Sequence, residues 1–193
     1  ITHAIALSDV PTTVPEAAIK ACQQHTHALL FAAISLNLRN LKLNIPSHSL
    51  SLAGQELLKT NHEYSQSFER RYETLKQHEG ELLHYASQLQ QQPLEDSQST
   101  TINTLLNCTR YAVYSVKTLK DIRTNLIELR HALEPTLHEL SQDYQADLQP
   151  FYQQLLTILS EQHDEHYLKE QLLLLSRRNE QLNQQLNTKI RNH

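Results

Sequence analysis

Glycine is scarce in this chain, with two in 193 residues, and tryptophan and methionine are absent. Two glycines leave no Gly-rich loop to cradle a phosphate and argue against β-rich folds, which spend glycine on turns. No apolar run approaches the roughly 20 residues that span a bilayer; Leu172 to Leu175 is far too short. No signal peptide is visible. The formal net charge is −4, and basic residues alternate with acids along the chain. That pattern describes solvated faces and excludes a strong nucleic-acid footprint. The two cysteines, Cys22 and Cys108, have no metal-binding spacing. Both sit among apolar residues of helical period and read as buried free thiols, as in a reducing compartment. Opening on Ile1, the chain is expected to be a domain of a longer product.

What the chain has in abundance is leucine at three- and four-residue spacing, the period of amphipathic helices. Residues 1–14 read as an irregular lead. Thr12 or Thr13 can cap a first helix that opens on Pro15 and Glu16 and runs to about Leu43. Its stripe is Ile19, Cys22, Thr26, Leu29, Ala33, Leu36 and Asn40. Pro46 and its polar neighbours break the chain. A second helix, about 52–91, carries Leu57, Tyr64, Phe68, Leu75, Leu82, Ala86 and Leu89, with Gly80 as its weak point. A turn at Pro93, capped by Asp96 or Ser97, leads to a third helix over about 100–133. Its stripe runs from Leu105 and Thr109 through Val116 and Leu126 to Leu133. Pro135 restarts the chain. A fourth helix spans about 135–162, kinked at Pro150, and a fifth about 164–190. Short connections make sequential helices antiparallel neighbours. The pattern therefore predicts an all-α, up-and-down antiparallel bundle of about five long helices, elongated and gently supercoiled. Residues 15–133 supply the first three of these helices, and 135–191 the two further ones.

Groupings with metal or catalytic spacing are few. Glu81/His84 and Glu128/His131 are Glu-x-x-His pairs, the signature of di-iron carboxylate bundles. Folding the second and third helices about a turn near position 95 leaves the two pairs about 30 Å apart along the axis, too far to share a site. Glu161, His163, Asp164, Glu165 and His166 fall at a helix junction, where polar residues belong. His25 and His27, two apart, cannot face the same way. Glu139, Asp143 and Asp147 form an acidic ridge, read as a solvated face with a weak divalent-cation site as the alternative. No nucleophile elbow or triad context is present. These features point away from an enzyme.

Two stretches carry a resemblance: Tyr-Glu-x-Leu-Lys-x-x-Glu-Gly-Glu at 72–81, and Leu105 to Asn125, LLNCTRYAVYSVKTLKDIRTN. Within the span Phe68 to Arg130 they resemble the PhoU-like domain at the cytoplasmic end of bacterial sodium/phosphate symporters. The resemblance implies three-helix units and a non-enzymatic regulatory role in phosphate transport. It implies residence at the cytoplasmic face of the inner membrane as part of a longer membrane protein. The partner it implies is the membrane transport domain of the same polypeptide, with self-association possible and no nucleic acid. Family members hold metal through acidic motifs. Here those motifs are degenerate: Glu73 is kept, Gln77 and Lys117 replace acids, and Asp121 is kept. No metal or other cofactor is therefore expected. Antiparallel packing would set Glu73 opposite Lys117, an expected ion pair in place of the metal bridge, with Arg70 close by. The alternative is a free-standing helical scaffold whose last helix, with Leu175, Leu182 and Leu186, zips with another chain.

Overall fold

The structure, a computed structural model, describes residues 6–44, 67–160 and 164–191. A 3₁₀ turn at Leu7–Asp9 precedes six α-helices among the described residues. They are α1 (Pro15–Leu41), α2 (Phe68–Leu89), α3 (Asp96–Asp121), α4 (Arg123–Arg130), α5 (Pro135–Ser160) and α6 (Glu165–Arg191). The all-helical class follows the three–four spacing. The break at Pro46 and the first part of the second helix, with Leu57 and Tyr64, lie outside the described residues.

These residues fall into two compact units, one of 6–37 and 67–120, the other of 38–44 and 121–191. In the first, α1, α2 and α3 run up, down and up. The Tyr85 hydroxyl donates to the Val10 carbonyl at 2.8 Å, and His25 faces His78 with ring centroids 5.7 Å apart, so α2 runs against α1. Gln90 Nε2 donates to Asn103 Oδ1 at 3.0 Å and Lys120 Nζ sits 4.8 Å over the Tyr72 ring, so α3 runs against α2. Thr109 donates to the Thr26 hydroxyl at 3.3 Å, and Asn37 Nδ2 to the Ser115 hydroxyl at 3.0 Å, so α3 is parallel to α1. Between them the stripes meet: Cys22, Leu29, Ala33, Leu36, Leu75, Leu82, Ala86, Leu89, Ile102 and Val116 are buried together. The lead is less irregular than its sequence suggests, because Leu7 in the 3₁₀ turn joins this core.

Gly80 costs α2 backbone entropy. A Cβ built there meets nothing within 4 Å. Gly80→Ala is expected to stabilise the chain by about 0.8–1 kcal/mol, read as a raised midpoint in urea.

In the second unit α5 and α6 run antiparallel. Gln154 Nε2 donates to Gln171 Oε1 at 3.3 Å, Arg178 to the Pro150 carbonyl at 3.3 Å, and Lys189 to Asp143 at 2.9 Å. Helix α5 continues through Pro150. The last turn of α1 and the residues after it, 38–44, belong to this unit, and their carbonyls are satisfied within it: Arg130 donates to Asn40 O, Gln145 to Leu41 O and Gln149 to Asn44 O, at 3.0–3.2 Å. That end closes as a Schellman turn. Leu43 N donates to Leu38 O at 3.0 Å and Lys42 N to Arg39 O at 3.2 Å, with Lys42 in the left-handed region at φ 57°. Lysine carries a Cβ penalty there that glycine escapes. Lys42→Gly should therefore raise stability by roughly 0.5–1 kcal/mol in thermal or urea melts.

The third predicted helix is two. Ile122, at φ −98° and ψ 7°, breaks it into α3 and α4. His131 N bonds back to Ile127 and Glu128 carbonyls and ends α4, so Leu133 falls beyond the helix and is fully exposed. The cap of α3 is Glu95 rather than Asp96 or Ser97. Its carbonyl accepts from Ser99 N at 3.0 Å and its own N–H is taken by Gln98 Oε1 at 3.0 Å, one arm of a capping box.

Candidate functional site

The two stretches singled out in the sequence lie mostly on α2 (72–81) and α3 (105–120), which pack side by side and reversed in the first unit; 121–125 passes into α4 of the second unit. Burial of Leu75, Leu82, Ile102, Val113 and Val116 fixes which residues turn outward. The result is a shallow cleft lined by Tyr72, Lys76, Glu79, Arg110, Tyr111, Val113, Tyr114 and Lys117. Tyr111 and Tyr114 stand out of it, 75% and 65% exposed. Glu79 is buried against the cleft floor and accepts from Lys76 Nζ at 2.6 Å. That bond, with the Glu79 charge, raises the lysine pKa against the opposing pull of burial. With Lys117 and Arg110 on the same cleft, the surface is tyrosine-rich and predominantly cationic. It can stack, donate hydrogen bonds and attract acidic groups.

The four positions of the degenerate metal motif, Glu73, Gln77, Lys117 and Asp121, are all exposed. Gln77 Nε2 donates to Glu81 Oε1 at 3.0 Å. Lys117 lines the cleft, where the buried carboxylate is Glu79. Exposure of both Glu73 and Lys117 makes an ion pair between them a small contributor to stability.

Other candidates separate. Glu81 Oε2 meets His78 Nδ1 at 3.2 Å, while His84 Nε2 meets Gln88 Nε2 at 3.2 Å. Glu128 and His131 are exposed on the second unit. Lys189 Nζ spans the acidic ridge, 2.9 Å from Asp143 and 3.5 Å from Asp147, so the chain supplies the cation. Within the junction cluster Glu161 and His163 lie outside the described residues, and Asp164 Oδ1 caps α6 by accepting from Tyr167 N at 2.9 Å. His27 packs its ring on Phe31 at 4.7 Å, whereas His25 turns toward α2.

Two readings need correcting. Cys108 is exposed, because Ile102, Thr109, Val113 and Val116 take the inner face of α3. Only Cys22 is buried, and burial pushes its thiol pKa up to about 11, leaving it protonated and inert at neutral pH. The sequence reading also missed His78 as a partner of Glu81, although His-x-x-Glu spacing was there to see.

No protein-family model, no curated protein and no solved structure matches this chain.

Proposed function

We propose that this chain is a non-enzymatic, PhoU-like regulatory module of a sodium-dependent phosphate transporter, working at the cytoplasmic face through its helix surface. One observation carries the reading. The two stretches that resemble the symporter domain come together on one cleft, with exposed Tyr111 and Tyr114 beside Lys76 and Lys117. Exposed tyrosines flanked by cations are the composition of a binding surface, and a solvated helix face has no need of them. The partner in this reading is the membrane transport domain of the same polypeptide, which would dock acidic and polar loops onto the cleft. Absence of a Gly-rich loop fits a module that reads phosphate transport without itself binding nucleotide.

The test is sodium-driven phosphate uptake by cells expressing the complete polypeptide, with and without residues 15–191. The reading expects uptake in both and a changed response to phosphate supply when the module is removed. Uptake that needs no sodium, carries no phosphate or ignores the deletion contradicts it.

A second reading, a helical interaction scaffold, cannot use Leu175 as a zipper residue, since it is buried, and rests on Leu172, Leu173 and Leu174 of α6, which are 43–53% exposed. It expects self-association of the isolated chain that Leu172→Glu abolishes.

A further inference from the structure

Three side chains on α1 and α2 converge on a point outside the tyrosine cleft. His78 and Glu81 are three apart, one helical turn, and so project from the same face of α2. The antiparallel partner α1 sets His25 against them. Glu81 Oε2 lies 3.2 Å from His78 Nδ1, and the ligand-type atoms of all three residues lie within 4.8 Å of one another. Gln77 Nε2 holds the other carboxylate oxygen at 3.0 Å, which orients Glu81 toward the histidines. His25 Nε2 is buried and has no hydrogen-bond partner among the described residues. A buried imidazole nitrogen left unsatisfied is costly, and a cation at this point would satisfy it.

We propose that His25, His78 and Glu81 bind a divalent transition ion of the zinc class and so clip α1 to α2. Two imidazoles and one carboxylate are a zinc-type donor set, whereas calcium and magnesium call for oxygen ligands. Ligands of a tetrahedral zinc lie about 3.3 Å apart. The His78–Glu81 pair already meets that spacing, and rotamer adjustment of His25 on the order of 1 Å closes the set. Gln77 supplies the outer hydrogen bond that metal-binding carboxylates commonly have. Partly exposed Glu81 leaves the fourth position open to water. These residues are not the four positions of the degenerate family motif.

The test is a Zn²⁺ titration of the purified, chelator-stripped chain against a chromophoric competitor, with Co²⁺ as a spectroscopic probe. One ion per chain is expected, with visible Co²⁺ bands of a low-coordinate site. His78→Ala and Glu81→Gln should each weaken binding at least about tenfold. His25→Leu should lose the ion while the metal-free chain melts no lower than wild type, since the unsatisfied nitrogen is gone. The chain has twelve histidines, so location matters. Binding that none of the three variants weakens, or no stoichiometric binding at all, overturns the proposal. Should His25→Leu fail to fold, the two α2 variants decide the matter alone.

Discussion

Leu82→Ala is expected to destabilise the three-helix unit by about 3 kcal/mol, within the range for emptying a fully buried leucine site. Leu82 is at 0% exposure among Leu29, Leu75, Leu89 and Val116, contributed by all three helices. Removing its branched end leaves a cavity that three packed helices cannot close without breaking other contacts. Leu133→Ala is the control. Leu133 continues the same kind of heptad stripe in the sequence but is 100% exposed, and its truncation should change stability by less than about 0.5 kcal/mol. Urea unfolding of the two variants separates these outcomes. Equal effects would mean that the inner face of the bundle is not the one described.

Under the proposed function, Tyr111→Ala with Tyr114→Ala is expected to weaken docking on the membrane domain by about 2 kcal/mol or more, roughly thirtyfold in affinity, without lowering the melting temperature. Both rings are mostly exposed, so the folded chain loses little packing when they are cut back. Each supplies a rigid apolar plane with a polar tip, beside Lys76, Arg110 and Lys117. Binding of the isolated variant chain to the transport domain held in nanodiscs measures this. An affinity unchanged by the double substitution would move the docking surface elsewhere.

The fold was largely legible because burial obeys period. Of the α1 stripe read in the sequence, Cys22, Thr26, Leu29, Ala33, Leu36 and Asn40 are buried in the structure, and Ile19 packs partly buried against the core. Thr26 and Thr109 joined apolar stripes without being apolar, and their hydroxyls resolve the discrepancy by pairing with each other. What failed was local. Nothing in Asp121-Ile122-Arg123 marks a helix break by proline or glycine, so the division of the chain at that point could not be read from periodicity. Cys108 was misplaced because a residue one position from the inner stripe sits about 100° away from it, a distinction that apolar neighbours hide.

The tyrosine cleft was half visible. Its α2 and α3 motifs stand in the sequence, but antiparallel arithmetic pointed to Glu73 and Lys117. The structure sets Tyr72 against Lys120 and Gln90 against Asn103, and the buried acid of the cleft is Glu79. A shift of two or three residues changes which side chains meet, and turn length does not fix register that finely. The metal-type cluster was hidden for a related reason. His78 and Glu81 share a helix and are readable, while His25 comes from another helix whose register against α2 the sequence does not specify.

The function proposed above would place the Tyr111–Tyr114 cleft under a membrane domain in the complete polypeptide. Alkylation of a Tyr114→Cys variant tests it directly, with the native Cys108 as an internal reference on the same exposed helix and Cys22 buried out of reach. Trypsin cuts at Arg110 between the two reporters, so their labelling rates are read from separate peptides. The account predicts that residue 114 reacts at least about tenfold more slowly in the complete polypeptide than in the isolated chain, as burial of an interface centre requires, with Cys108 much less affected. Equal rates at residue 114 in the two forms would contradict it.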